Sequence, residues 1–492
     1  MSSAKVIDGR EIGRNIMALF WFAGVFLTVF SSKLWLTALY GSALPWWDAW
    51  DIEGRLYIAF FENKLAFKDL FAVHCEHRFF VNRVLALLTL MLNGQWDARI
   101  GIVLNAAMAA GAGAALSYAG WKLLNRNEIA VVCWFNAIVF SLPFAWEYYL
   151  LIALSLPAVW FLIRAAPFRP AWWLGVFFAL LSLVTAGSGF FVVLAAAGVI
   201  FLRLVTRQSP LRLNLAGMAV LLGITAAGFF LRVSVPGHEA YKPATIVNLI
   251  TGFCRNMAWP DNACAWTAAV IWLPACLVFI RYVLYRDDER NKYEFILGLG
   301  LWIALQAAAL AFARCGALAS RHAVFLSLSL PLNFLALLIL RRDRMLSFIT
   351  GKPLLLILFV WMGFVGHGLW KIPYKTNFAE AEKFKQHLNQ SEKNVRSFLR
   401  SDNIADLENK PFYDIPYPDP RALASFLRNP RIRAILPSCA APANEPGPIS
   451  AFVSKMLPGS AKLLLASVVL MAVLAAVSLC QAFGAAHPRQ CK

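Results

Sequence analysis

Apolar runs of about 18 residues or more recur along almost the whole chain, each long enough to cross about 30 Å of hydrocarbon as a helix. That repetition leaves few folds open. Composition points the same way: of 492 residues 60% are hydrophobic and only 15% charged, and the mean hydropathy is +0.61, outside the range of ordinary soluble globular chains. The expected fold class is an all-α polytopic membrane protein.

The basic residues give the orientation. Lys5, Arg10 and Arg14 precede a first span at roughly 16–38, which puts the N-terminus in the cytoplasm by the positive-inside rule. Further spans are expected at roughly 98–121, 129–145, 149–166, 171–186, 190–206, 214–232, 264–284, 294–313, 322–340, 353–371 and 461–482. About twelve crossings result. Alternate connections carry Lys122 and Arg126, Arg164 and Arg169, Arg203, Arg207 and Arg212, then Arg286, Arg290 and Lys292, and finally Arg341, Arg342, Arg344 and Lys352. The opposite turns, such as Gly187-Ser188-Gly189, are nearly free of Lys and Arg. The net charge of +19 is therefore topological, scattered in short clusters rather than drawn into the stripe that nucleic acid requires.

Phe79 to Leu92 is apolar but about 14 residues long and interrupted by Asn82 and Arg83, which suits an interfacial or re-entrant helix. Counting it as a crossing would turn every later Arg cluster outward. Three parts follow: a bundle over about 1–371 with a first external loop at about 40–97, a polar external region at about 372–460, and a last span with cytoplasmic tail over about 461–492. The first loop looks amphipathic, with Leu56, Ile58, Phe60 and Phe61 among Glu53, Arg55, Glu62 and Lys64, as in helices lying along the interface. No cleavable signal peptide is evident. Nine cysteines show no metal-ligand spacing. Cys254 and Cys264 share one external loop and are either paired or free.

Chemistry concentrates on the external side. Directly after the first span the chain reads Trp46-Trp47-Asp48-Ala49-Trp50-Asp51, and later His74-Cys75-Glu76-His77-Arg78. Tryptophans suit the headgroup level, whereas two acids there gain nothing from the bilayer. Asp48 is the natural general base, a carboxylate able to take a proton from an attacking hydroxyl. Asp51, one helical turn on, would orient the acceptor or hold a divalent cation; helix capping or pairing with Arg55 or Arg78 is the structural alternative for both acids. Glu76, His77 and Arg78 would complete the site if the loop folds back. A later external turn, Arg314 to His322, places two arginines outside. Arg314 and Arg321, beside His322, either grip a lipid phosphate through their planar donor forks or snorkel to headgroups or pair with loop acids.

An N-in first span, an aspartate motif just outside it, interfacial helices in a long first loop and a polar external C-terminal region together resemble the GT-C class of multi-pass glycosyltransferases. The Trp-Asp-Ala-Trp-Asp and Glu-His-Arg pieces, with Ser320-Arg321-His322, resemble in particular an uncharacterised bacterial branch of it. The resemblance implies a transferase in the inner membrane using a polyprenyl-phosphate-linked sugar donor and a glycan or lipid acceptor, with Asp48 as acid/base and Asp51 as its partner. Arg321, with Arg314, would neutralise the departing phosphate. The chain departs from better-known members in lacking an adjacent Asp-Glu or Glu-Asp pair in the first loop. Two other readings stay open: a transporter or flippase of a lipid-linked anionic substrate, and a ligase or polymerase of lipid-linked glycans such as O-antigen.

Overall fold

The computed structural model describes residues 9–124, 128–143, 149–206, 211–233, 235, 237–262, 264–285, 290–315, 322–342, 352–371 and 376–486. Among these every named element is helical. The helices are α1 Gly9–Tyr40, α2 Arg55–Phe61, α3 Phe80–Asn93, α4 Ala98–Leu123, α5 Ile129–Ser141, α6 Tyr149–Arg164, α7 Pro170–Leu183, α8 Phe191–Val205, α9 Leu211–Phe230 and α10 Ile246–Met257. They continue with α11 Thr267–Leu284, α12 Asn291–Ala313, α13 Ala323–Ser327, α14 Ser329–Leu340, α15 Lys352–Leu369, α16 Asn377–Ser401, α17 Pro420–Arg428, α18 Pro430–Ile435, α19 Pro448–Met456 and α20 Ser460–Ala486. Seven stretches of the described residues are long and apolar enough to cross a membrane: α1, α4, α9, α11, α12, α13 with α14, and α19 with α20. Shorter apolar helices, α5 to α8 and the 356–369 part of α15, fall where further spans are expected. The chain is a polytopic helical membrane protein.

Polar contacts sort the connections into two ends. At one end Arg203, closing α8, meets Glu294 at the start of α12 through bonds of 2.7 and 2.5 Å and reaches the Ile163 carbonyl of α6. Arg342 joins Glu128 there at 3.2 Å. At the other end lie the tip of α1, Leu142, the 183–191 connection, the 237–245 segment and the start of α13. Lys33 donates to Leu142 O at 2.5 Å, Phe80 N–H to Val184 O at 2.9 Å, and Cys315 N–H to Tyr241 O at 2.9 Å. Helix α3 starts against Val184 and ends with Asn93 bonded to Ser450 at 2.9 Å, just before α20. Both its ends are thus tied to the same end of the bundle. Helix α10 runs back along the last turns of α12, Asn256 bonding the Ala307 carbonyl at 2.9 Å.

The bundle has one large apolar core, and a second core stands apart from it. Trp50, Tyr57, Leu90 and Trp96 from the first loop pack with Phe398, Leu423, Phe426 and Leu436 from the polar C-terminal region. Trp50 is fully buried, its ring 4.9 Å from Trp96 and 5.7 Å from Phe426. The amphipathic pattern of both segments therefore has one cause. Each is a half-buried wall of the same cap, and neither can cover its apolar side alone. Backbone bonds close the joint: Trp96 N–H to Ile435 O at 2.8 Å, and Trp47 N–H to Pro416 O at 2.7 Å.

Candidate functional site

The cap sits on the bundle end that carries the acidic and histidine motifs, and the seam gathers them. Asp48 opens the helical stretch after Trp47, a non-glycine residue at φ 49. Its carboxylate is 65% exposed and 3.5 Å from His74 Nε2. The Asp48 carboxylate, with Cys75 contributing next, pushes the His74 pKa up to about 10 against the opposing effect of burial, so this pair carries an imidazolium at neutral pH. A turn of π-helix, Trp50–Gly54, follows. Asp51 lies within this turn and meets the cap. It accepts from Arg55 at 3.0 Å and from the Tyr417 hydroxyl at 2.9 Å. Asp51 is thus held between a cation and a phenol, and among the described residues no group of three His, Cys, Asp or Glu stands ready for a metal.

The His74–His77 stretch is a tight reversal, each of the two residues donating its N–H to the other's carbonyl at 2.9 and 3.0 Å. Cys75 at its tip adopts φ 47, and Phe79 just beyond adopts φ 46. Left-handed backbone is costly for such side chains and persists where the surroundings enforce it. Three of these residues, Trp47, Cys75 and Phe79, bracket Asp48, Glu76 and His77. The enforcing group is Arg83, on the first turn of α3 and 4% exposed, whose Nη1 reaches the carbonyls of Leu70, Ala72 and Arg78.

The reversal places Glu76 and His77 against other connections. Glu76 Oε1 lies 2.6 Å from His238 Nδ1 and 3.7 Å from the Arg314 guanidinium. Burial alone would raise the Glu76 pKa, but the His238 bond, its own backbone and Arg314 together bring it below the usual range. Arg314 also lies over the Tyr241 ring at 5.1 Å. His77 Nδ1 accepts the Gly187 N–H at 2.9 Å, which leaves the proton of the neutral ring on Nε2. Burial, helped by His74 and Arg314 and resisted by Glu76 and Asp48, lowers its pKa to about 4. Gly187 permits this approach, since a Cβ there would stand 2.5 Å from Glu76 O.

Of the residues singled out in the sequence, Asp48, Glu76, His77 and Arg314 come together at the seam. Arg78 bonds the Phe71 and Leu231 carbonyls at 3.3 and 3.4 Å and shapes the loop. His322 is buried at the head of α13, 5% exposed. Arg321 lies outside the described residues. Cys254 and Cys264 are both free thiols. Sequence reasoning gave His74 and His238 no partner, and it read Arg83 as an interruption. A charged residue inside an otherwise apolar 14-residue stretch was the available signal for Arg83.

The His77 bond has a pH consequence. A histidine at about 4 when docked and about 6.5 when free contributes docking stability that is fully present above pH 6.5 and lost as pH falls toward 4. The Gly187 amide should accordingly lose hydrogen-exchange protection, relative to its intrinsic rate, across that window; constant protection would contradict the assignment. No protein-family profile, curated protein or solved structure matches the chain.

Proposed function

We propose that this chain is a membrane glycosyltransferase that moves a sugar from a polyprenyl-phosphate carrier to a cell-envelope glycan or lipid acceptor, with Asp48 as general base. In this reading the bundle has twelve crossings of GT-C type, the seven long stretches and five shorter helices. Both termini are cytoplasmic and the seam opens on the external, periplasmic face of the inner membrane.

The observation that carries the reading is the exposed Asp48 carboxylate at the junction of cap and bundle. A carboxylate there can take the proton from an acceptor hydroxyl as its oxygen attacks the anomeric carbon. The bond from that carbon to the carrier phosphate oxygen breaks, and the polyprenyl phosphate departs with its charge. Arg314, held loosely on Glu76, supplies a guanidinium, and Arg321 is proposed to share that role. The His74 imidazolium loses its ion pair if Asp48 keeps the proton, which favours release of that proton to water.

The test is proteoliposomes holding the purified protein, a labelled polyprenyl-phosphate monosaccharide and a membrane extract as acceptor source. Transfer predicts label leaving the carrier and entering the acceptor fraction. Labelled carrier moved between leaflets without being consumed would sink the reading and leave a flippase.

A further inference from the structure

Beside Asp48 the seam exposes a group of aromatic rings that the chemistry above does not use. Trp46 and Trp47 are near-parallel, 6.4 Å apart at 16°, and Trp47 and Tyr413 likewise, 5.8 Å apart at 17°. Centroids at these separations belong to offset rather than face-to-face rings, so the three overlap only in part, and Trp46 and Trp47 are half-buried. Phe412 closes one side, edge-on to Trp47 at 5.0 Å, and Phe384 the other, edge-on to Trp46 at 5.1 Å. Phe412 is 53% exposed and Tyr413 45%.

This terrace is built from three distant segments, and one of them is pinned firmly. The loop carrying Phe412 and Tyr413 is tied to α16 by Asn394, which donates to Asp414 O at 2.8 Å, and by Ser391, which reaches Tyr413 O at 3.4 Å. His387 from the same helix pairs with Asp414 at 2.7 Å, its ring 5.7 Å from Tyr413. That leaves a half-exposed imidazole and a carboxylate at the border of the ring surface. Apolar faces of fixed spacing, edged by a few oriented polar groups, match a ligand with C–H faces and rim hydroxyls. An acyl chain would find no use for the polar pair, and a headgroup belt needs no such mutual packing.

We propose that Trp46, Trp47, Phe412 and Tyr413, with His387 and Asp414, form a saccharide-binding platform that presents a glycan acceptor to Asp48. As an acceptor site it rests on the transferase reading, but saccharide binding itself does not. The rings stack the pyranose faces and the His387–Asp414 pair takes hydroxyls.

Saturation-transfer NMR on the purified full chain, with chitotriose, cellotriose and mannotriose as probes, tests this. At least one trisaccharide should receive saturation, strongest on the C–H protons of one ring face. The double variant Phe412→Ala/Tyr413→Ala should weaken that binding about tenfold, and His387→Ala should weaken it without changing which face is saturated. If the alanine pair melts, Phe412→Leu/Tyr413→Leu keeps the apolar volume and removes the flat faces. No saturation of any probe, or undiminished binding in the folded double variant, overturns the platform. Sugar transfer assayed in parallel separates the two proposals. Binding by the wild type with no sugar transfer detected removes the transferase and leaves the platform, whereas transfer with binding indifferent to the ring variants removes the platform alone.

Discussion

Asp48→Asn should lower sugar transfer by about 10²–10⁴-fold, the range by which a positioned general base accelerates a proton transfer, while leaving the amount of inserted protein unchanged. The amide has nearly the same size and cannot accept the acceptor's proton. The Asp48 side chain is 65% exposed, so the substitution buries no polar group and costs the fold little. One side effect is calculable in sign. His74 owes its raised pKa chiefly to Asp48, so in the variant it should titrate much nearer to the ordinary value of about 6.5. NMR of the His74 ring from about pH 6 to about pH 10 reads this independently of activity. Transfer at the wild-type rate in membranes with equal expression would end Asp48's candidacy, whatever the imidazole does.

The second large effect is expected at a residue that touches no substrate. Arg83→Met keeps much of the length and the apolar stem of the side chain but removes the guanidinium that the carbonyls of Leu70, Ala72 and Arg78 face. A fully buried carbonyl left without a donor costs about 1–3 kcal/mol, and these three are only partly shielded, so each costs less. The contacts of Glu76 with His238 and of His77 with Gly187 hold only the tip of the loop, and left-handed Cys75 and Phe79 make its backbone costly to keep once its base is released. Release of the loop should withdraw His74, Glu76 and His77 together, with transfer lost as fully as in Asp48→Asn. Limited proteolysis tells the two variants apart: Arg83→Met should open a cut within 66–80, and Asp48→Asn should not. A protected loop in Arg83→Met would show that the turn stands without its arginine.

The sequence carried the membrane class in the lengths of its apolar runs, because a span must be long enough to cross whatever its neighbours do. It also carried the grouping of basic connections: Arg203 and Arg342 do lie at the end opposite the seam. Asp48, Glu76, His77 and Arg314 were legible as ionisable groups where lipid gives such groups no reason to be. What stayed hidden depended on distance along the chain. No local pattern announces that the Trp50 and Phe426 rings will stand 5.7 Å apart, that Glu76 will choose His238, or that Asp51 will meet Tyr417. Asp51 shows the limit clearly, since its Tyr417 partner lies 366 residues away and nothing near Asp51 in the sequence announces it.

The cap joins the first external loop to a segment made after most of the bundle, Asp51 and Tyr417 being 366 residues apart. On the ribosome the front half of this cap, with Trp50 and Trp96, waits through nearly the whole of synthesis before its mate emerges. Until then the seam has no roof, and Trp47 lacks the Pro416 carbonyl that fixes it. A product that ends before this segment consequently leaves the Trp50 and Trp96 wall of the cap uncovered, a tryptophan-rich surface open to chaperones and membrane proteases. The join thereby acts as a completeness check on the fold, closing only once that late segment has been delivered.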